Sequence, residues 1–424
     1  MIRFLLKGIL RDKSRSFLPI VIITIGVSLT VLLSGYMKGV MGDLIDQSAR
    51  FDTGHLKVMT RAYNINKDQL PNDLALLDVN ELVQSLSATF PDVQWVKRIK
   101  FGGILDVPDA QGQTTGQGPA TGMALEILSG RSGELERLNI LSSMVTGAVP
   151  KKPGEVIVGH DFAEKLKLEV GDEITYFGST MNGSMAFKNF SICGTIRFGT
   201  AAMDRGALII DIADAQEMLD MENGVGEVLG FLNGGVYSDE RATIISEQFN
   251  ADFVNNTDEF APIMLRLKDQ NGLSDYLDYV DMFSGLFVAI FVMAMSVVLW
   301  NTGLLGGLRR YKEFGIRLAL GESKGQIYRS LIYEAFLIGA IGSVVGTIIG
   351  VSVTLYLQVY GIDISGALSN SSMMMPSVLR AKFTMNLLYI GFIPGLFAMM
   401  FGNMLSGIGV YKRETATLFK ELEV

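Results

Sequence analysis

Cysteine and histidine are nearly missing from this chain. Cys193 is the single cysteine, so no disulfide can form within the chain, and a folded domain must be stable through its own core. Cys193 sits in an apolar, strand-like run and reads as a packed residue rather than a reactive thiol. The two histidines, His55 and His160, lie about a hundred residues apart, which argues against a zinc site. No G-x-x-x-x-G-K-[ST] is present, so the chain carries no nucleotide-binding P-loop of its own. H-E-x-x-H is missing as well. Acidic pairs such as Asp172-Glu173 and Asp239-Glu240 fit a solvated surface better than a catalytic dyad. The expectation is a protein with no catalytic residues, no metal and no bound cofactor.

What the sequence does have is apolar length. Hydrophobic residues make up 49% of the 424 positions. They concentrate in four uncharged runs, Phe17 to Met37, Met282 to Leu308, Ala335 to Ile362 and Phe383 to Tyr411. Each is long enough to cross the ~30 Å hydrocarbon core as a helix. The first is too long for a typical signal peptide and no A-x-A-like site follows it, so it reads as a retained anchor. About 240 residues of ordinary globular composition separate the first run from the second. The fold expected is an α-helical membrane protein with four transmembrane helices, one plus three, and a large α+β domain between the first and second.

Charge distribution orients the spans. Arg3, Lys7, Arg11, Lys13 and Arg15 precede span 1; Arg309, Arg310, Lys312, Arg317, Lys324 and Arg329 lie between spans 2 and 3; Lys412, Arg413 and Lys420 follow span 4. These segments share one side, which basic residues mark as cytoplasmic. Arg380 and Lys382 fall on the other side. Residues 41–280 hold 19 Lys and Arg against 35 Asp and Glu, so the acidic balance belongs to the outer domain and a nucleic-acid partner is excluded.

Along the chain, residues 1–16 read as a basic amphipathic helix lying on the inner membrane surface. Span 1 with its extension occupies 17–50, because Met37, Val40, Met41, Leu44 and Ile45 keep helical spacing past the apolar run. The outer domain, 51–270, divides into about 51–150 with 225–270, and about 151–224. VQWVKRIKFGGILDV (93–107) reads as two strands, and DAQGQTTGQGPATG (109–122) as a loop or hairpin end. Span 2 with a helical stalk takes 271–308, a cytoplasmic segment 309–328, span 3 329–362, span 4 383–411 and the tail 412–424.

Span 3 carries Gly339, Gly342, Gly346 and Gly350 on one helix face, suited either to packing inside the subunit or to a subunit interface. Glu334 opens that span at the hydrocarbon edge, where a carboxylate can reach headgroups or a basic partner. Pro394 and Gly395 interrupt span 4. The cytoplasmic segment GLRRYKEFGIRLALGESKGQIYRSLIYE (307–334) is too charged for membrane and too patterned for a linker. Tyr311, Phe314, Ile316, Leu318 and Leu320 give it an apolar side, Arg309, Arg310, Lys312, Glu313 and Arg317 polar contacts, and Gly321 a stop. It reads either as an interfacial helix or as a docking helix for a cytoplasmic protein.

The run R-R-Y-K-E-F-G-I-R-L-A-L-G-E-S-K-G-Q-I resembles the signature of the MacB/FtsX superfamily of ABC transporter permeases. The one-plus-three layout matches too. GEVIVGHDFAEKLKLEVGDEITYFG, SICGTIRFG, MDRGALIIDIADAQEML and GHLKV resemble the outer domain of lipoprotein-releasing, LolC/LolE-type, permeases. The resemblance implies a bacterial inner-membrane, multi-pass subunit with cytoplasmic termini and a periplasmic domain. It implies a homo- or heterodimer of permeases, two copies of a separate ABC ATPase that holds the ATP and Mg, membrane lipids, a lipoprotein or other amphiphilic cargo, and a periplasmic carrier. Carried over by motif, Arg310, Glu313, Phe314, Gly315, Arg317, Ala319 and Gly321 form the ATPase-coupling segment, with Phe314 standing where isoleucine is usual. The family's proline-rich carrier hook is replaced here by STMNGSMAFK (179–188), which lacks proline and puts direct carrier recruitment in question. A MacB-like exporter of peptides or small molecules and an FtsX-like regulator of a cell-wall hydrolase are the other functions the resemblance allows.

Overall fold

A computed structural model describes residues 13–109, 111–199, 201–309, 311–363 and 378–412. The expected surface helix at 1–16 and the tail at 412–424 therefore fall almost entirely outside the described residues, as does Arg310. The chain divides into two compact units. A sheet unit holds Leu44–Tyr276 with Asp363–Ser377, and a helical unit holds Met1–Asp43, Leu277–Ile362 and Val378–Val424.

Helix α1 (Lys13–Ser48) runs unbroken past the end of its apolar stretch. It closes in a π-helical turn, Ala49–Thr53, where the Gly54 amide donates to the Ala49 carbonyl at 2.9 Å. Gly54 has φ of +61°, and a Cβ there would sit 2.5 Å from the Leu56 carbonyl, so the exit from the turn requires glycine.

In the sheet unit, strands β1 (Leu56–Thr60), β2 (Val93–Pro108), β3 (Thr114–Leu125), β4 (Met144–Gly147), β5 (Glu155–Gly159), β6 (Glu173–Ser179), β7 (Met185–Ile196), β8 (Ala207–Asp211), β9 (Glu227–Leu232) and β10 (Pro262–Arg266) form one system. Helices α2 (Val79–Thr89), α3 (His160–Leu166), α4 (Ile212–Met218) and α5 (Asp239–Ala251) connect them. The order β10-β1-β9-β2 is antiparallel throughout, with α2 between β1 and β2 and α5 between β9 and β10. That is the interleaved, ferredoxin-like arrangement of two βαβ halves. The second half of β2 continues into a closed ring, β2-β3-β8-β5-β7-β6 and back to β2, with β4 added to β7. Closure removes free strand edges.

Two sequence expectations are corrected here. Residues 93–107 form one long strand, because its first half pairs with β9 while its second half pairs with β3 and β6. Most of the glycine-rich tract 109–122 is strand β3 rather than loop. Its glycines make room for rings from neighbouring elements: a Cβ on Gly118 would lie 2.8 Å from the Phe162 ring, and one on Gly122 would overlap the Phe101 ring. The aliphatic core of the unit is threaded with rings, Phe101, Phe162, Phe190 and Tyr176 all nearly inaccessible and the Phe101 and Tyr176 rings edge to face at 5.2 Å. Each such side chain contributes about 1.5–3 kcal/mol by leaving water, which is how the unit holds without a disulfide.

In the helical unit, α6 (Leu273–Arg309, whose first residues belong to the sheet unit), α7 (Tyr311–Ala319), α8 (Lys324–Tyr360) and α9 (Asn386–Lys412) follow. Among the described residues three helical stretches are long and apolar enough to cross a membrane, Ser16–Thr53, Lys324–Tyr360 and Asn386–Leu405. Within α6, the described residues include the apolar helical stretch Gly285–Asn301. α9 runs through Pro394.

Candidate functional site

The segment between spans 2 and 3 is two helices joined by a tightly capped turn. α7 ends in a Schellman motif: the Glu322 amide donates to the Arg317 carbonyl at 3.0 Å, and the Gly321 amide to the Leu318 carbonyl at 3.1 Å. Gly321 has φ of +93°, the left-handed conformation this cap needs. One residue later Ser323 caps α8 and exchanges bonds with Gln326 in a capping box. Gly321-Glu322-Ser323-Lys324-Gly325 has the G-x-S-x-G spacing of a hydrolase nucleophile. Here the serine is an N-cap, and both histidines of the chain lie in the sheet unit.

Arg317 staples the turn. Its Nε pairs with Glu322 at 2.8 Å, and Nη1 donates to Ser330 Oγ on α8 at 3.2 Å. Phe314 is 1% exposed and Gly315 is also buried, so these two residues pack within the chain. Ile316 and Leu320 are 59% and 80% exposed, with Ala319 exposed beside them and Glu313 half-buried. The sequence places Tyr311, Phe314, Ile316, Leu318 and Leu320 on one apolar side, spaced by two from Phe314 onward. That spacing of two suits a strand; on a helix it sends Phe314 and Ile316 to opposite faces. The exposed apolar surface of α7 is Ile316 and Leu320, while Phe314 is buried. Alternation hid this, and a period of 3.6 over 313, 316 and 320 would have found it.

The glycine row of α8 is filled from within the helical unit. A Cβ on Gly342 would stand 2.9 Å from Ile23 Cβ, one on Gly346 2.8 Å from the Thr24 carbonyl, and one on Gly350 2.8 Å from Val31 Cβ, all on α1. Gly339 instead faces Met399 and Leu396 of α9. Thr24 Oγ1 donates to the Gly342 carbonyl at 3.3 Å. The contacts are those of close helix packing in lipid, where removing side chains lets backbones approach. Glu334 is half-buried on α8, one residue before buried Ala335.

In the sheet unit, a groove of about 920 Å³ is lined by Leu70, Ile104, Tyr176, Phe177, Met181 and Met185, among others. One wall is the β6–β7 hairpin, whose turn closes with the Thr180 amide on the Ser184 carbonyl at 2.8 Å. Ile104 of β2 pairs with Phe177 of β6, which pairs with Phe187 of β7. All three are exposed, giving the hairpin an apolar face. Cys193 donates to the Val156 carbonyl at 3.3 Å, and burial pushes its thiol up to about 12, which leaves it inert. Among the described residues no His, Cys, Asp and Glu cluster is placed to hold a metal.

A family model described as the MacB-like periplasmic core domain matches residues 16–251, and one described as the FtsX-like permease C-terminal matches 285–415. The chain belongs to the MacB/FtsX permease family. Its curated relatives include "Lipoprotein-releasing system transmembrane protein LolC" of Xylella fastidiosa, 26% identical over 216 residues, 49% of this chain and 50% of that protein. The same-named protein of Haemophilus influenzae is 24% identical over 251 residues, 58% of this chain and 59% of that protein. "Macrolide export ATP-binding/permease protein MacB" of Marinobacter nauticus is 30% identical over 110 residues, 26% of this chain and 16% of that protein. The chain thus matches the LolC proteins over about half their length. Among solved structures, the periplasmic region of MacB from Actinobacillus actinomycetemcomitans aligns with TM-score 0.36 and 10% identity, over 55% of this chain and 98% of that one. Within this MacB/FtsX-type chain the α7–α8 turn lies in the FtsX-like segment, and the barrel and most of the ferredoxin-like sheet lie in the MacB-like segment.

Proposed function

We propose that this chain is the permease subunit of an ABC transporter that releases lipoproteins from the bacterial inner membrane. It binds no nucleotide itself. Two copies of an ATPase on a separate chain hold ATP and Mg, and a second permease, identical or similar, completes the dimer. The observation that carries this reading is the order of the two family matches on one chain, a MacB-like periplasmic core followed by an FtsX-like permease segment.

The mechanism follows from the elements. Closure of the ATPases displaces α7, whose Ile316, Ala319 and Leu320 offer the exposed apolar contact. Arg317, bonded to Glu322 and Ser330, carries the displacement from α7 into α8. α1 and α6 lead from the membrane into the periplasmic sheet unit and deliver the motion there, where the groove beside the β6–β7 hairpin meets amphiphilic cargo or its carrier. The proline-free turn at 180–184 leaves direct carrier recruitment as a separate question. The match to MacB favours a second reading, export of peptides or small molecules.

Purification from native membranes tests the proposal. Acylated proteins and an ABC ATPase in the eluate are expected. Peptides or drugs in place of acylated proteins would select the second reading, and a cell-wall hydrolase with no cargo would select an FtsX-like regulator. Reversing the charge at Glu313 or Arg317 is expected to lower ATP-driven release while the protein still inserts.

A further inference from the structure

The last turn of α1 and the residues just before α6 grip one buried set of charges inside the sheet unit. Glu227 on β9 and Lys57 on β1 are 3% and 2% exposed and pair at 2.9 Å. Lys100 on β2 reaches the other Glu227 oxygen at 3.1 Å. Both lysines also pair with Asp52 in the π-helical turn, Lys57 at 3.5 Å and Lys100 more closely. Asn271, two residues before α6, donates to the second Asp52 oxygen at 2.6 Å. The backbone of the same turn is held as well. Arg98 on β2, fully buried, donates to the Phe51 carbonyl at 3.0 Å and to Glu134 at 2.7 Å. Gln270 donates to the Thr53 carbonyl at 3.2 Å. Three successive residues of the turn are therefore each tied down, from β1, β2 and the entry to α6.

Stability alone does not account for this choice. Apolar residues of similar volume usually match or exceed a buried ion set in net stabilisation. What directional bonds add is a single geometry. Two negative and two positive groups neutralise one another. Burial would raise the Glu227 carboxyl, but Lys100 and Lys57 overcome that and hold it below its usual range, so it stays ionised. π-helical turns also concentrate at functional positions.

We propose that Asp52 is the shared anchor of a clamp joining the end of α1 and the start of α6 to the β1-β9-β2 sheet, so that helix displacement moves the sheet rather than bending the turn. The proposal rests on the mechanical reading of the permease given above. Asp52, Asn271 and Arg98 are positioning residues within it.

The test uses the full-length chain, alone and with the ATPase that co-purifies with it. Asn271 is exposed, so Asn271→Ala is expected to leave the melting transition in place. It should nevertheless speed hydrogen exchange at Gly54, whose amide closes the turn, by roughly tenfold, as loss of a bond to a charged group implies. Asp52→Asn should speed that exchange further, because it also takes a counter-charge from Lys57 and Lys100, and adding Asn271→Ala to it should change little more, because the two residues act through the same contact. Nitroxides on the β6–β7 turn and on α8 should then show an ATP-vanadate distance shift in the parent complex. That shift should be lost in both variants with ATP hydrolysis retained. Unchanged exchange at Gly54 would overturn the clamp, whatever the ATPase does. A parent complex with no nucleotide-dependent shift would overturn the mechanical reading and the clamp's role in it. A full shift in the variants would overturn the clamp as a transmission element while leaving the mechanical reading intact.

Discussion

The sheet unit and the helical unit both make room by leaving out a Cβ, but different atoms fill the space. At Gly118 in the sheet unit the neighbour is the Phe162 ring, 2.8 Å from a would-be Cβ. At Gly346 in the helical unit it is the Thr24 backbone carbonyl, also 2.8 Å away. A ring can turn aside, whereas a carbonyl in the middle of a helix cannot. Water drives the sheet unit together by burying large apolar groups, and Gly118 and Gly122 there make room for side chains. In lipid that drive is missing between helices, and Gly346 there serves backbone approach. The sheet unit also buries paired charges, Lys57 with Glu227, and ties them to half-buried Lys100 and Asp52.

The strongest challenge to this contrast is Glu227→Ala. It leaves buried Lys57 and half-buried Lys100 facing only Asp52, and a broken buried pair costs about 3–5 kcal/mol. Trp95 lies in the sheet unit and Trp300 in the helical unit, so single-tryptophan versions of the full chain can follow each unit separately. The Trp95 transition is expected to move and the Trp300 transition to stay. Replacing Lys57, Lys100 and Glu227 together by Met, Met and Leu should restore most of the loss. If it does not, the set contributes stability in its own right.

A pH titration comes next. His55 is 2% exposed, and its Nδ1 accepts from the Leu232 amide at 3.0 Å, which requires an unprotonated ring nitrogen. Burial pushes its pKa down to about 4; Asp46 opposes the shift, and Arg137 and Arg50 reinforce it. Above about pH 6.5 the imidazole is neutral whether folded or not, and its contribution is fully present. As pH falls from 6.5 towards 4 the unfolded chain takes up a proton that the folded chain refuses. Stability of the sheet unit should fall across that window, by about 3 kcal/mol in all. Glu227, held ionised when folded, adds a loss of the same sign below its ordinary carboxylate range. His55→Phe should flatten the 4–6.5 part of the Trp95 profile, and an unchanged slope would remove His55 from the account.

The glycine pair sharpens the comparison directly. Gly346→Ala should destabilise the helical unit by about 1–3 kcal/mol, the usual cost of overpacking. Gly118→Ala should cost the sheet unit less, because only the Phe162 ring need give. Equal costs would mean the Phe162 ring is as fixed as a helix backbone.

Sequence periodicity carried much of this, and its failures have physical causes. The apolar length and the 3.6 spacing through Met37, Val40, Met41, Leu44 and Ile45 are enough to specify the length of α1. The alternation in GHLKVMT gives β1. β3 was hidden because its glycines look like loop, while the rings that make it a strand come from β2 and α3. The clamp was hidden because its partners are distant: Lys57 and Glu227 stand 170 residues apart, and a single lysine in an apolar strand gives no sign of its partner. The glycine row announced close packing but not its occupant, because Ile23, Thr24, Val27 and Val31 carry no mark that distinguishes them from lipid-facing residues.

The smallest effect on stability is expected at the α7–α8 turn. Leu320 is 80% exposed and lies one residue before the glycine that ends α7. Leu320→Glu should change unfolding of the helical unit by no more than about 0.5 kcal/mol, as for an exposed site outside any network. Under the proposed mechanism the same change places a charge where an apolar contact with the ATPase is needed. ATP-driven release should therefore drop sharply, and less ATPase should co-purify. Arg317→Glu is a poorer probe, because its bonds to Glu322 and Ser330 mean that the turn itself would shift. Phe314→Ala supplies the opposite case: it is buried, so its loss should appear in the Trp300 transition first and in ATPase binding only through it. If Leu320→Glu left release intact while Phe314→Ala abolished ATPase binding at unchanged stability, docking would run through Phe314. The exposed face of α7 would then have to be assigned to something other than the ATPase.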